Sequence, residues 1–323
     1  MKYLIAFVLI LFPIAGFPSY TIRHGKLVDR DSLPSESPQE HYQGMIAAYE
    51  KKEWKELVRQ ATILSKYFKS TPFSEEAAFF LGVGHLNLED YEFANNQFSA
   101  YLKQQVAPKH FEEAIQYKFT IAEKFHQGEK KHLFAMESMP QWLPAKEEAL
   151  AIYEEVITAL PHHDLAAQSY FGKAKLLLEN EDYRASIETY QMLIRRFPKH
   201  PLAVESYIGI ENVYLHQCKN EFPDPDLLDL AEINLRKFKE NFPSEERYAV
   251  AEESFSRMRE HYAKNLYETA QFYQKTKKNK AAVIYYKKIL GKYPETFVAK
   301  ESKKRLEILE KKIASQTTES ATK

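Results

Sequence analysis

The chain is poor in the residues that make bridges, tight corners and a one-sided charge. One cysteine in 323 residues cannot form an intramolecular disulfide, so the sequence does not describe a disulfide scaffold. Nine glycines are few for this length. A protein of many tight β-turns would need more, because a corner with positive φ normally takes Gly or Asn. Lys plus Arg and Asp plus Glu both number 45, so the formal net charge is zero and the whole chain makes no electrostatic case for nucleic acid. The longest apolar run, Tyr3–Ala15, stops short of the roughly 20 residues that cross a bilayer core. What is present is 44% apolar and 14% aromatic residues, enough for a large core, and long helices are the default expectation.

Lys2, that apolar run, Gly16 and a following polar stretch have the layout of a secretory signal peptide over residues 1–16. The mature protein is then expected outside the cytoplasm. Ile14-Ala15-Gly16-Phe17 resembles a bacterial lipoprotein box with Phe17 at the position of the acylated cysteine, and Cys218 lies too far along to take that lipid. Residues 17–38 carry prolines, two arginines and several Ser and Asp without periodicity, which predicts an extended tether.

Internal self-similarity is the strongest feature. Leu160-Pro161 is followed by Ala166 and Ser169, Phe197-Pro198 by Ala203 and Ser206, and Tyr293-Pro294 by Ala299 and Ser302, at one spacing throughout. Each proline stands just past an amphipathic pattern of helical period and stops it, since proline lacks an N–H and clashes with the preceding turn. The spacing falls near the 34-residue tetratricopeptide (TPR) period, in which small residues mark close helix crossings and large apolar residues fill the gaps. The fold class expected is all-α, a TPR solenoid of about six helical hairpins with a C-terminal capping helix. Residues 39–160 hold the N-terminal repeats with an insertion at 128–144. Residues 161–243 hold the middle repeats. Residues 244–313 hold a long connecting helix, the last repeat and the cap, since the stretch between Pro243 and Asn279 contains neither proline nor glycine. The tail 314–323 is expected to be disordered.

No catalytic arrangement stands out, so neither enzyme activity nor a cofactor or metal is expected. His162-His163 reads as a solvated turn without ligands at metal spacing. Gly82-Val83-Gly84 lacks the third glycine of a dinucleotide loop and reads as close helix packing. Cys218 reads as a buried thiol and Asp226 as a helix N-cap. An enzyme subunit with an unrecognised site remains a rival that would need a pocket of convergent titratable groups.

What the chain offers is surface. The insertion carries Leu133, Phe134, Met136, Met139 and Trp142, which either fold back over the inner face of the solenoid or form an exposed patch for a partner. Tyr42, Tyr49, Phe79, Phe80, Tyr117, Tyr170 and Tyr207 lie on inner helices, mostly at core positions, although an aromatic groove is how such solenoids bind peptides. From Ser256 to the end there are 17 Lys and Arg against 7 Glu, a net +10, and the remainder carries −10. That basic part is either a solvated face or a docking surface for an acidic partner or anionic lipid headgroups, with Lys287, Lys288 and Lys292 as candidates.

The chain resembles the BamD family of outer-membrane β-barrel assembly lipoproteins, periplasmic TPR proteins of Gram-negative bacteria. The likeness rests on the Trp54 helical pair and Pro72 loop, the insertion at 128–144, and above all Tyr262-Ala263-Lys264, Tyr267, Ala270, Tyr273, Ala282 and Tyr293-Pro294-Glu295-Thr296. Phe17 stands where that family carries its lipidated cysteine, and the units at 164–243 add one or two repeats to the family's usual five. The resemblance implies a non-enzymatic scaffold at the inner face of the outer membrane. In that family the N-terminal repeats engage unfolded barrel proteins and the C-terminal repeats dock a BamA-like insertase. A periplasmic TPR adaptor for cell-envelope or cell-wall machinery is the alternative, because one fold serves many partners.

Overall fold

The computed structural model describes residues 20–23, 26–29, 33–104, 107–136, 139–221 and 224–321. The expected signal peptide and Phe17 lie outside the described residues. Contacts divide the chain into two compact units, the first running through Lys124 and taking in Glu129–Pro144, the second comprising Phe125–Gly128 and everything from Ala145.

In the first unit, β1 (Tyr20–Arg23) and β2 (Lys26–Asp29) pair antiparallel inside the stretch set apart as a tether. The helices α1 (Pro38–Lys51), α2 (Trp54–Tyr67), α3 (Pro72–Asn87) and α4 (Tyr91–Gln104) follow, each packed on the next, and then α5 (Phe111–His126). Helix α1 begins at a reciprocal cap. The Ser37 Oγ accepts from the Glu40 amide at 3.3 Å, the Glu40 carboxylate accepts from the Ser37 amide at 2.9 Å, and Pro38 fills a first-turn position that has no N–H to satisfy. Gly82 and Gly84 are where α3 meets its neighbours most closely. A Cβ on Gly82 would stand 2.8 Å from the Phe98 ring of α4, and one on Gly84 would stand 2.6 Å from Val58 of α2. The unit closes with β3 (Lys130–His132), a 3-10 turn at Leu133–Ala135 and β4 (Gln141–Pro144), an antiparallel ribbon within the insertion.

The second unit holds α6 (Lys146–Ala159), α7 (Asp164–Glu179), α8 (Tyr183–Arg196), α9 (Pro201–Asn220) and α10 (Asp226–Asn241). The 28-residue α11 (Tyr248–Lys275), α12 (Asn279–Lys292) and α13 (Phe297–Ala321) complete it. Helix α13 runs past residue 314, where a tail was expected to begin. The recurring small residues form the internal lattice: Ala166 and Ser169, Ala203 and Ser206, and Ala299 and Ser302 are all buried. Ala251 and Ser254 on α11 are a fourth such buried pair, displaced relative to Pro243 by the extra turn that precedes α11. Alanine and serine at these positions let backbones approach; Ser206 Oγ donates back to the Leu202 carbonyl of its own helix at 2.7 Å, whereas the buried hydroxyls of Ser169 and Ser302 find no partner among the described residues.

The helix-to-helix corners depart from the glycine argument. Lys52, Glu89, Glu181 and Lys277 all hold φ of 59–61° just after the first helix of a pair. The chain therefore uses the left-handed corner repeatedly without spending glycine on it. Asp226 is also not the N-cap expected of it. It is the first residue of α10, and its amide is held by Asp224 Oδ1 at 3.0 Å. His163 and His200 instead serve as N-caps, each Nδ1 accepting the amide two residues ahead at 3.1 Å.

Candidate partner-binding surfaces

The ribbon β3–β4 is fixed at its base and open at its tip. His132 is buried. Its amide donates to Glu92 Oε2 at 2.9 Å, its Nδ1 lies 2.6 Å from the Met139 carbonyl, and its Nε2 lies 3.2 Å from Asp90 Oδ1 and from Gln141 Nε2. A carbonyl oxygen can only accept, so Nδ1 carries a proton. One ring thus ties both strands of the ribbon to the start of α4. Beyond it Phe134 and Ala135 take φ of 56° and 52°, which turns the chain sharply and projects the Phe134 ring outward. Phe134 is 75% exposed, Trp142 67% and Met136 43%, while Leu133 and Met139 are half-buried. Of the two fates open to the insertion, the three largest exposed groups take the outward one.

The rest of the first unit supplies an aromatic face with polar teeth. Phe79 and Phe80 are buried, with Phe79 stacked on His110 at 4.3 Å, whereas Tyr42, Tyr49 and Tyr117 are half-buried. Tyr42 donates to Glu76 Oε2 at 2.7 Å and Lys109 donates to Glu76 Oε1 at 3.0 Å. Burial pulls the Glu76 carboxyl up, but those two donors outweigh it and hold the group below its ordinary value. Burial, reinforced by Glu76, raises Tyr42 to about 12, and burial with Glu113 nearby raises Tyr117 to about 12. These phenols therefore remain neutral donors. Tyr170 and Tyr207, in the second unit, are core.

The second unit carries a basic outer surface. On α12, Lys288 and Lys292 are exposed and make no ion pair among the described residues. Lys287 is held by Glu310 of α13 at 2.8 Å, so it has less free charge to offer. Between α8, α9 and α10 lies a cleft of about 270 Å³ whose wall includes Ile194, Ile210, Tyr214, Leu230 and Ile233, with Arg195 and Lys237 also lining it. Beneath its Asn234, Glu211 is fully buried; its Oε1 accepts from Asn234 Nδ2 at 2.8 Å and its Oε2 has no partner. Burial raises that carboxyl to about 8. Sequence reasoning missed Glu211, because a lone Glu among apolar helix positions signals nothing until its partners are in place.

Cys218 is buried, its Sγ directed at the Leu215 carbonyl, and burial pushes the thiol up to about 11, which leaves it protonated and unreactive. Among the described residues no group of His, Cys, Asp and Glu is placed to hold a metal ion, and no helix is long and apolar enough to cross a membrane.

Paired helices of this length joined by short corners, with buried Ala and Ser at the crossings, define an all-α solenoid of the TPR type. Within that class, residues 143–323 match the family described as YfiO, outer membrane lipoprotein, and the chain belongs to that family. The TPR scaffold and this family are both non-catalytic kinds of protein. No curated protein matches the chain. Among solved structures, the C-terminal part of a TPR repeat-containing protein from Cytophaga hutchinsonii is 14% identical, covering 83% of this chain and 88% of that one at a TM-score of 0.39. A TPR protein from Parabacteroides merdae is 12% identical, covering 84% and 98% at 0.37. YrrB, a TPR protein with an unusual peptide-binding site, is 11% identical, covering 67% and 92% at 0.38. At these scores the likenesses carry nothing about partners.

Proposed function

We propose that the chain is a non-enzymatic scaffold for the assembly of β-barrel proteins into the outer membrane, working on its periplasmic side. Membership of an outer membrane lipoprotein family across α6–α13 is the observation that supports this most. The first unit would receive extended, apolar segments of unfolded barrel proteins on the exposed Phe134, Met136 and Trp142 and on the neighbouring aromatic face. Exposed large apolar groups on a rigid mount are what such segments pair with, and the half-buried tyrosines add directional hydrogen bonds. The basic surface of α12, through Lys288 and Lys292 with Lys287 beside them, would dock the barrel insertase and steer its approach.

The test is crosslinking of the full chain in cell envelopes, with captured proteins identified by mass spectrometry. Capture of a barrel insertase, lost in Lys288→Glu/Lys292→Glu, is the expected result. Capture of unfolded barrel proteins should fall at least threefold in Phe134→Ser/Met136→Ser/Trp142→Ser with the circular dichroism spectrum unchanged. Recovery of cell-wall enzymes without an insertase would replace this reading with that of an envelope adaptor.

A further inference from the structure

A helix that ends a solenoid buries one face on the preceding pair and turns the other to water, and that outer face is normally polar. Helix α13 obeys the first half of the rule. Ala299, Ser302, Leu306 and Leu309 are buried at helical spacing against α11 and α12. The second half is departed from at Phe297 and Ile308. Phe297, Lys300, Lys304, Ile308 and Lys311 recur at intervals of three and four, which places them in one stripe on the side of the helix away from that buried face. All five are exposed, Phe297 by 76% and Ile308 by 66%. The backbone that carries Phe297 is held in place, because Glu260 of α11 accepts the amides of Phe297 and Val298 at 2.9 and 3.0 Å and caps the helix.

Residues 297–313 carry six Lys and Arg against three Glu. Glu301 is engaged by Arg305 at 3.4 Å and Glu310 by Lys287 at 2.8 Å, which leaves Glu307 as the acidic side chain of residues 297–313 without an ion pair among the described residues. Lys300, Lys303, Lys304, Lys311 and Lys312 make none either. Protein interfaces are depleted in lysine at their centres, whereas helices that lie on bilayers set Lys and Arg beside large apolar residues such as Phe and Leu. Lysine stems lie along the apolar boundary while their ammonium groups reach phosphate, and a cluster of four or more is the usual signature of anionic lipid.

We propose that the outer face of α13 is a docking surface for an anionic phospholipid bilayer, with Phe297 and Ile308 entering the headgroup region and Lys300, Lys304 and Lys311 contacting phosphates. This contact is separate from the protein docking assigned to α12, and it stands whichever proteins α12 recruits.

The experiment is co-sedimentation of the full chain with vesicles of phosphatidylglycerol and phosphatidylethanolamine, against phosphatidylcholine alone, at about 0.1 M salt, where screening is moderate. The wild type should partition at least tenfold more strongly onto the anionic vesicles. Lys300→Glu/Lys304→Glu/Lys311→Glu should remove that preference, and Lys288→Glu/Lys292→Glu should leave it intact. Phe297→Ser/Ile308→Ser should weaken binding at least threefold, which attraction to phosphate alone would not require. Should the triple reversal fail to fold, Lys300→Gln/Lys304→Gln/Lys311→Gln provides the same readout with smaller charge change. Equal binding to both vesicle types, as adsorption through the apolar amino-terminal run would give, overturns the proposal. So does unchanged vesicle binding by the α13 variants combined with loss of a captured protein in envelopes, which would make the face a protein interface.

Discussion

Glu211 is protonated in the folded protein at neutral pH because the core around it desolvates the carboxylate more than Asn234 stabilises it. Its folded value of about 8 lies above the ordinary 4.5, so between those two values the native state holds a proton that the unfolded chain has released. Stability therefore falls as pH rises from about 5 to 8, by on the order of 3 kcal/mol at pH 7 from this group alone. Glu211→Gln keeps an oxygen to accept from Asn234 and cannot ionise. Urea denaturation should show the variant close to wild type at pH 5 and more stable by about 2–3 kcal/mol at pH 7. An equal difference at both pH values would mean that ionisation of Glu211 is not the cause. Gly82 is the converse case, a residue whose role the sequence did disclose. Its Cβ would meet the buried Phe98 ring at 2.8 Å, so Gly82→Ala should cost about 1–2 kcal/mol in a thermal melt despite alanine's better helix propensity. The close packing of Gly82-Val83-Gly84 was legible because nothing around it fitted a phosphate loop. Glu211 was not, since its chemistry arises from helices distant in sequence.

At the scale of elements, the repeat was readable because Ala and Ser recur at one distance after a helix-stopping proline, and those residues are the buried crossings. The fourth crossing at Ala251 and Ser254 escaped because an inserted turn shifts its phase against Pro243. The corners escaped for another reason. Their left-handed conformation is imposed by two packed helices on Lys52, Glu89, Glu181 and Lys277, none of which prefers it. Such a residue carries about 1–2 kcal/mol of local strain that glycine lacks, offset in part by glycine's greater freedom in the unfolded chain. Glu89→Gly and Glu181→Gly should each therefore raise stability by about 0.5–1 kcal/mol, measured by thermal melts, and a loss would show that the side chain holds the corner. The ribbon β3–β4 was seen from the sequence as an apolar insertion but not as strands. A two-stranded ribbon held by one histidine has too short a pattern to display its period. His132→Ala removes the links to Met139 and Asp90, and limited proteolysis should then cut between Leu133 and Trp142 at least tenfold faster while α1–α4 resist.

At the scale of the molecule, zero net charge hides two opposed parts of unequal length, −10 before Ser256 and +10 from there on. Pairing inside the structure does not cancel the positive part. Arg259 with Glu295, Lys287 with Glu310 and Arg305 with Glu301 consume acidic groups of that same segment, so most of its lysines stay free. Free lysines spread over the exposed surface of α12 accelerate the approach of an acidic partner more than they hold it, because each sits in high dielectric where salt screens it. Lys288→Glu/Lys292→Glu should accordingly lower the association rate with the captured insertase by about tenfold at 50 mM salt and by much less at 500 mM, with the dissociation rate changed little. Stopped-flow or surface-binding kinetics over a salt series separates the two rates. A change confined to dissociation and insensitive to salt would place Lys288 and Lys292 inside a desolvated contact, and an association rate unaffected at low salt would remove α12 as the docking surface.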